Sequence, residues 1–125
     1  MTSSWILLSV AIGGGLGAVL RYLAVQFIET PSGFPLATLL VNLVGSFLIG
    51  VCFVLILERG LVSELWRPAL MAGFLGGLTT FSAFSLEAVY LLEDGRWQMA
   101  MAYVVISLIL CILAAFGGMQ LIRSL

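Results

Sequence analysis

Apolar residues occupy the chain in four long runs with little between them: roughly Trp5 to Ile28, Leu36 to Leu57, Ala69 to Leu92 and Trp97 to Ile122. About 20 consecutive apolar residues of helix cross the hydrocarbon core of a bilayer, so each run predicts one spanning helix. The separators ETPSGFP (Glu29 to Pro35), ERGLVSELWRP (Glu58 to Pro68) and EDGR (Glu93 to Arg96) are short and carry turn residues or charges. They leave no room for a soluble domain or a linker. Trp5, Trp66 and Trp97 fall at run ends, where indole rings prefer the headgroup level. The N-terminal MTSSWILLSV lacks a basic region, and the run after it is too long and glycine-rich for a signal peptide, so it is expected to stay as the first span. The expected fold is all-α and integral to a membrane, with residues 1–125 forming a single four-helix domain.

Composition sharpens this and excludes other classes. Of 125 residues 62% are apolar and 9% charged, and the mean hydropathy is +1.23, a balance that does not keep a domain of this size in solution. With a net charge of -1 and no basic run, nucleic acid is not an expected partner. There is no histidine, and Cys52 and Cys111 stand alone in apolar surroundings, so neither a side-chain metal site nor a disulfide framework can be read. No carboxylate pair and no nucleophile beside a base is present, which sets enzyme chemistry aside.

The informative residues are the polar ones inside the apolar runs. AIGGGLGA (Ala11 to Ala18) offers small-xxx-small pairs at Ala11/Gly15, Gly13/Gly17 and Gly14/Ala18, and helix packing is the plain reading there and for Gly45, Gly50, Gly117 and Gly118. Arg21 and Glu87 are charges well inside spans and both are costly there, about 2.5 to 3.5 kcal/mol for an arginine at mid-helix on insertion scales, unless paired or near an interface. Helix alternation puts both on the side opposite the termini, at a depth comparable with Asn42. Two readings stand: a structural ion pair, or an ion vestibule. Asn42, with Thr38 and Ser46 four residues to either side, makes a polar stripe that serves either interhelical bonding or ligand contact. Tyr103, Ser107 and Cys111 repeat the four-residue spacing in the last span.

The third run contains GFLGGLTTFSAFSLE (Gly73 to Glu87). Adjacent Gly76 and Gly77 weaken a helix by about 1 kcal/mol each, and the hydroxyls of Thr79 and Thr80 compete for backbone partners. A break near the bilayer midplane follows. Such breaks persist only where the freed backbone groups are buried in protein or bind something, often an ion. Beyond it Phe81 and Phe84 share a face, with Ser85 between them in projection. Orientation signals are weak: Arg59, Arg67 and Arg123 on the side of the termini stand against Arg96, joined by Arg21 if it snorkels. Insertion in both orientations is expected.

GGGLGAVLRY, the pattern of Pro35, Thr38, Leu39 and Asn42, and above all GFLGGLTTFSAFSLE resemble the CrcB/Fluc fluoride channels, in motif order and over the whole chain. The resemblance implies an antiparallel dual-topology homodimer in a bacterial inner membrane, with two fluoride pores and a central structural sodium ion at the breaks of the third helix. It implies Phe81 and Phe84 as pore phenylalanines, Asn42 as pore amide, Arg21 as vestibule arginine with Glu87 nearby, and the carbonyls of Gly76 and Thr79 as sodium ligands. Thr38, Ser82, Ser85, Tyr103 and Ser107 would make a polar track. Ala83, Cys111 and Ala37 depart from the usual pattern, where Thr, Ser or Thr, and Gly respectively are common; the first two thin that track.

These residue types suit the ion. Fluoride is small and tightly hydrated, so a pore must replace water with neutral donors that do not trap it. Phenyl rings have a negative face and a positive edge, and ring-edge hydrogens can face an anion. A small multidrug-type proton/cation antiporter is the alternative from another class, although it needs a membrane carboxylate where the first span has Arg21. A non-transporting scaffold subunit would leave the polar stripes as unexplained cost.

Overall fold

The computed structural model describes residues 3–125. Among the described residues, four helices are long and apolar enough to cross a membrane: Ser4–Phe27, Leu36–Glu58, Glu64–Glu93 and Trp97–Arg123. We label the first α1 (Ser4–Phe27). The second, α2, is α-helical over Leu36–Cys52 and continues as a wider π-helical turn over Phe53–Glu58. The third span is divided. Its first half, α3, is π-helical over Pro68–Leu75 and closes with one α turn, Gly76–Leu78; its second half is α4 (Phe81–Glu93). The last is α5 (Trp97–Arg123).

The helices pair through small residues. Buried Gly13 and Gly17 press α1 onto α3, where a Cβ on Gly13 would strike the Ala69 carbonyl and one on Gly17 would strike the Phe74 carbonyl. Gly77 repays the approach, since its Cβ would run into the carbonyl of Gly14. On the other side Gly50 of α2 abuts Ala115 of α5, and Gly118 abuts Phe47. Backbone contact of this kind is how helices associate in lipid, where apolar side chains have no water to escape. The Ala11/Gly15 register does not take part: both residues are exposed, and a Cβ at Gly15 would meet nothing within 4 Å. Gly117 is likewise free of close neighbours.

Two apolar clusters result, one of Leu39, Phe84, Ala88, Leu91, Ala100 and Tyr103, the other of Val41, Leu75 and Leu78. Large apolar side chains on the outer faces of α1 and α5 are exposed, as a lipid-facing surface requires. At one end Arg123 clasps Glu58 through both carboxylate oxygens, joining the ends of α5 and α2. At the other Arg96 donates to the Ser32 carbonyl and packs on Gly33, whose φ of +77° suits glycine, so the loop before α5 is tied to the loop before α2.

The break falls at Thr79 and Thr80, both extended (φ -86°, ψ 155° and φ -151°, ψ 122°). The sequence put weakness at Gly76 and Gly77 and at Thr79 and Thr80; the chain stays helical through the glycines and opens at the threonines. Gly77 is the seat of close contact with α1, and that contact holds its turn in place. The winding gives way two residues later.

Candidate functional site

The backbone groups released at Gly77 and Thr80 are taken up by side chains from other helices. In an unbroken helix the Gly77 carbonyl would accept from Phe81; here it accepts from Arg21 Nε at 3.1 Å. The Thr80 N–H donates to Asn42 Oδ1 at 2.7 Å, and Asn42 Nδ2 donates to the Thr80 carbonyl at 3.0 Å. One amide side chain thus pairs with both backbone groups of one residue. Thr80 caps α4, its Oγ1 accepting from the Ala83 N–H at 3.0 Å. Thr79 turns its hydroxyl back to the Leu75 carbonyl at 2.8 Å and lays its methyl on Gly45. None of the hydrogen bonds across the break reaches the carbonyl of Gly76 or Thr79.

Beside the break lies an open groove of about 330 Å³ between α2, α3, α4 and α5. Asn42, Ser46, Thr79, Thr80, Ser107 and Cys111 bring polar atoms to it, and Gly76, Phe81 and Phe84 complete the wall with aliphatic neighbours. Residues from three separate polar patterns along the chain therefore meet at one place. Phe81 and Phe84 stand edge to face, ring centres 5.4 Å apart at 63°. Their environments differ: Phe84 is 6% exposed and Phe81 72%. Asn42 keeps one amide proton beyond the bond to Thr80, and both its oxygen and the other proton are committed.

The remaining expected residues lie elsewhere. Thr38, buried, donates to Glu87 Oε1 at 2.7 Å, and the pair lines a second cavity of about 270 Å³ under the loop before α2. Tyr103 is fully buried, edge-on to Phe84 (5.1 Å) and Phe34 (5.5 Å), with a hydroxyl lacking a hydrogen-bond partner. Ser85 bonds back to the Phe81 carbonyl at 2.8 Å, and Ser82 sits 3.3 Å from the Thr80 hydroxyl; neither lines the groove. Arg21 and Glu87 do not pair, being engaged at the break and with Thr38 respectively. The structural ion pair is thereby removed from the two readings of these charges. Ala83 does not line the groove, so a missing hydroxyl there leaves its wall unchanged, whereas Cys111 does line it.

Thr80 was undervalued by sequence reasoning. A threonine three residues before the Ala83 amide is an ordinary N-cap signal, and reading α4 as a separate helix would have found it. The bond from Arg21 to Gly77 had no sequence signal, because it joins positions 56 residues apart.

Four apolar helices, one of them broken beside a groove of neutral donors, define a small multi-pass membrane protein built around an interrupted helix. The chain belongs to the family described as CrcB-like protein, Camphor Resistance (CrcB), whose model matches residues 8–119. It is 44% identical to a protein of Saccharophagus degradans over 99% of this chain and 94% of that one. It is 47% identical to one of Hahella chejuensis (94% and 94%) and 46% identical to one of Rhizobium meliloti (95% and 97%). All three relatives are named fluoride-specific ion channel FluC, the name of a channel rather than an enzyme.

Proposed function

We propose that this chain is a passive, fluoride-selective channel of a bacterial inner membrane that lowers cytoplasmic fluoride. The observation that carries the reading is the groove at the break, where the Asn42 amide, the Ser107 hydroxyl and the Phe81 and Phe84 rings converge with no full positive charge on its wall. Neutral donors replace the water of a compact anion without holding it, and larger halides gain less from the same donors. Ring edges of Phe81 and Phe84 add weakly positive hydrogens in an otherwise apolar passage. Thr38, Tyr103 and Glu87 continue the path toward the second cavity, with Ser82 and Ser85 flanking it. An inside-negative potential assists anion exit by about 2.3 kcal/mol per elementary charge per 100 mV, so no pump is required.

The working unit in this reading is an antiparallel homodimer with two pores. Support comes from the weak arginine bias and from the position of the break near mid-span, the one depth at which an axis lying in the membrane plane brings a point of the helix level with the same point of its copy. The unbonded carbonyls of Gly76 and Thr79 fit a sodium ion at that meeting point: two neutral oxygens from each protomer suit a small monovalent cation in a static role. Sodium bound there would screen carbonyl repulsion between the two breaks.

Purified protein in liposomes loaded with fluoride should dissipate the gradient at an ion-selective electrode, with chloride passing far less well. Equal fluoride and chloride flux, or no flux of either, overturns the reading.

A further inference from the structure

We infer that Arg21 acts as a positioning residue through its Nε–H bond to the Gly77 carbonyl, and that this bond rather than its positive charge is what conduction needs. The inference rests on the channel reading above.

The extended conformations of Thr79 and Thr80 remove the amide that would have bonded Gly77, and they leave that carbonyl inside a membrane where an unmet acceptor is costly. Arg21 supplies the missing donor. It does so from a rigid base: Gly17, one turn earlier on α1, lies so close that a Cβ there would stand 2.7 Å from the Leu78 nitrogen. The arginine and its target are held by the same helix contact. Asn42 meets the break from α2, so the two side chains brace it on both flanks. Between those braces lie the free carbonyls of Gly76 and Thr79, and immediately after them α4 begins with Phe81. Freeing the peptide plane at Gly77 lets these groups turn together. Arg21 is absent from the groove wall, which is what positioning at one remove looks like.

Side-chain chemistry separates the bond from the charge. In Arg21→Gln the amide nitrogen falls at the place of arginine Nε, so the donor stays and the charge goes. In Arg21→Lys the charge stays, but a methylene occupies that place. Arg21→Met reaches the place of Nε with a methyl group and has neither donor nor charge. The expected order of fluoride efflux from proteoliposomes is wild type, then Gln within about threefold, then Lys and Met together, down about tenfold or more, as loss of a charge-assisted hydrogen bond implies. Hydrogen exchange at the Thr80 and Phe81 amides in nanodiscs should quicken in Lys and Met and change little in Gln.

Lysine matching wild type while glutamine fails would overturn the inference in favour of charge. Equal behaviour of all three variants, in flux and exchange, would overturn it as well. If the wild-type protein carries no fluoride, the channel reading falls, and the exchange ordering still decides whether the brace exists. As a check on folding, an ester in place of the Leu78 peptide weakens the Gly77 carbonyl as acceptor. It also removes the Leu78 N–H in both backgrounds, so it should slow efflux more in wild type than in Arg21→Met; an equal added loss in both would count against the bond.

Discussion

Phe81 and Phe84 share a motif and a ring contact but carry different structural weight. Phe84 sits in the cluster with Leu39, Leu91 and Tyr103, so Phe84→Ile should cost about 1 to 2 kcal/mol through the cavity it leaves, as well as fluoride flux. Phe81 is largely exposed in the protomer, and Phe81→Ile should stay within about 0.5 kcal/mol of wild type in stability. Thermal melts in detergent, set beside efflux rates, check the pair. If both variants conduct like wild type, the rings are packing residues. Asn42→Asp places a carboxylate where the amide donates to the Thr80 carbonyl, so like dipoles face each other across the break. It should abolish flux and lower the melting temperature together; retained flux would show that the amide is not on the path.

At the level of the helices, close backbone approach is the device that sets the geometry. Gly77→Ala drives a methyl into the Gly14 carbonyl, and strain of about 1 to 3 kcal/mol is expected because neither backbone can retreat without the other. Gly15→Ala, with open space around it, should leave stability within about 0.5 kcal/mol of wild type. Comparable melting of both variants would mean that α1 does not pack on α3 as described. The amphipathic logic of water-soluble helices is of little help here, since lipid rewards apolar side chains on the outside too. That is why the glycine run announced packing but could not say which of its registers would be used.

For the molecule as a whole, the channel reading depends on both orientations being made. Two or three lysines added after Leu125 should commit every copy to one orientation and abolish efflux. Co-expression with an oppositely biased copy should restore it. Full activity of the lysine-bearing protein alone, or labelling of single cysteines from one side only, would rule out the antiparallel pair.

Four apolar runs of spanning length determined the number and order of the helices without help from structure, because lipid leaves a lone segment no other way to satisfy its backbone. The clustering of glycine and threonine in GFLGGLTTFSAFSLE likewise announced an interrupted third span, and the stripes of Asn42 and Ser107 pointed to a shared polar surface. Where the helix parts was decided by tertiary contact. Gly77 remains helical because α1 lies against it, while Thr79 and Thr80 open because Asn42 takes the backbone groups that the helix gives up. Arg21 and Glu87 seemed alike from their depth along the chain, yet rotation about the helix axes sends one to the break and the other to Thr38. Hydropathy along a chain reports depth in the membrane, and the choice of partner at a given depth belongs to how the helices turn and touch.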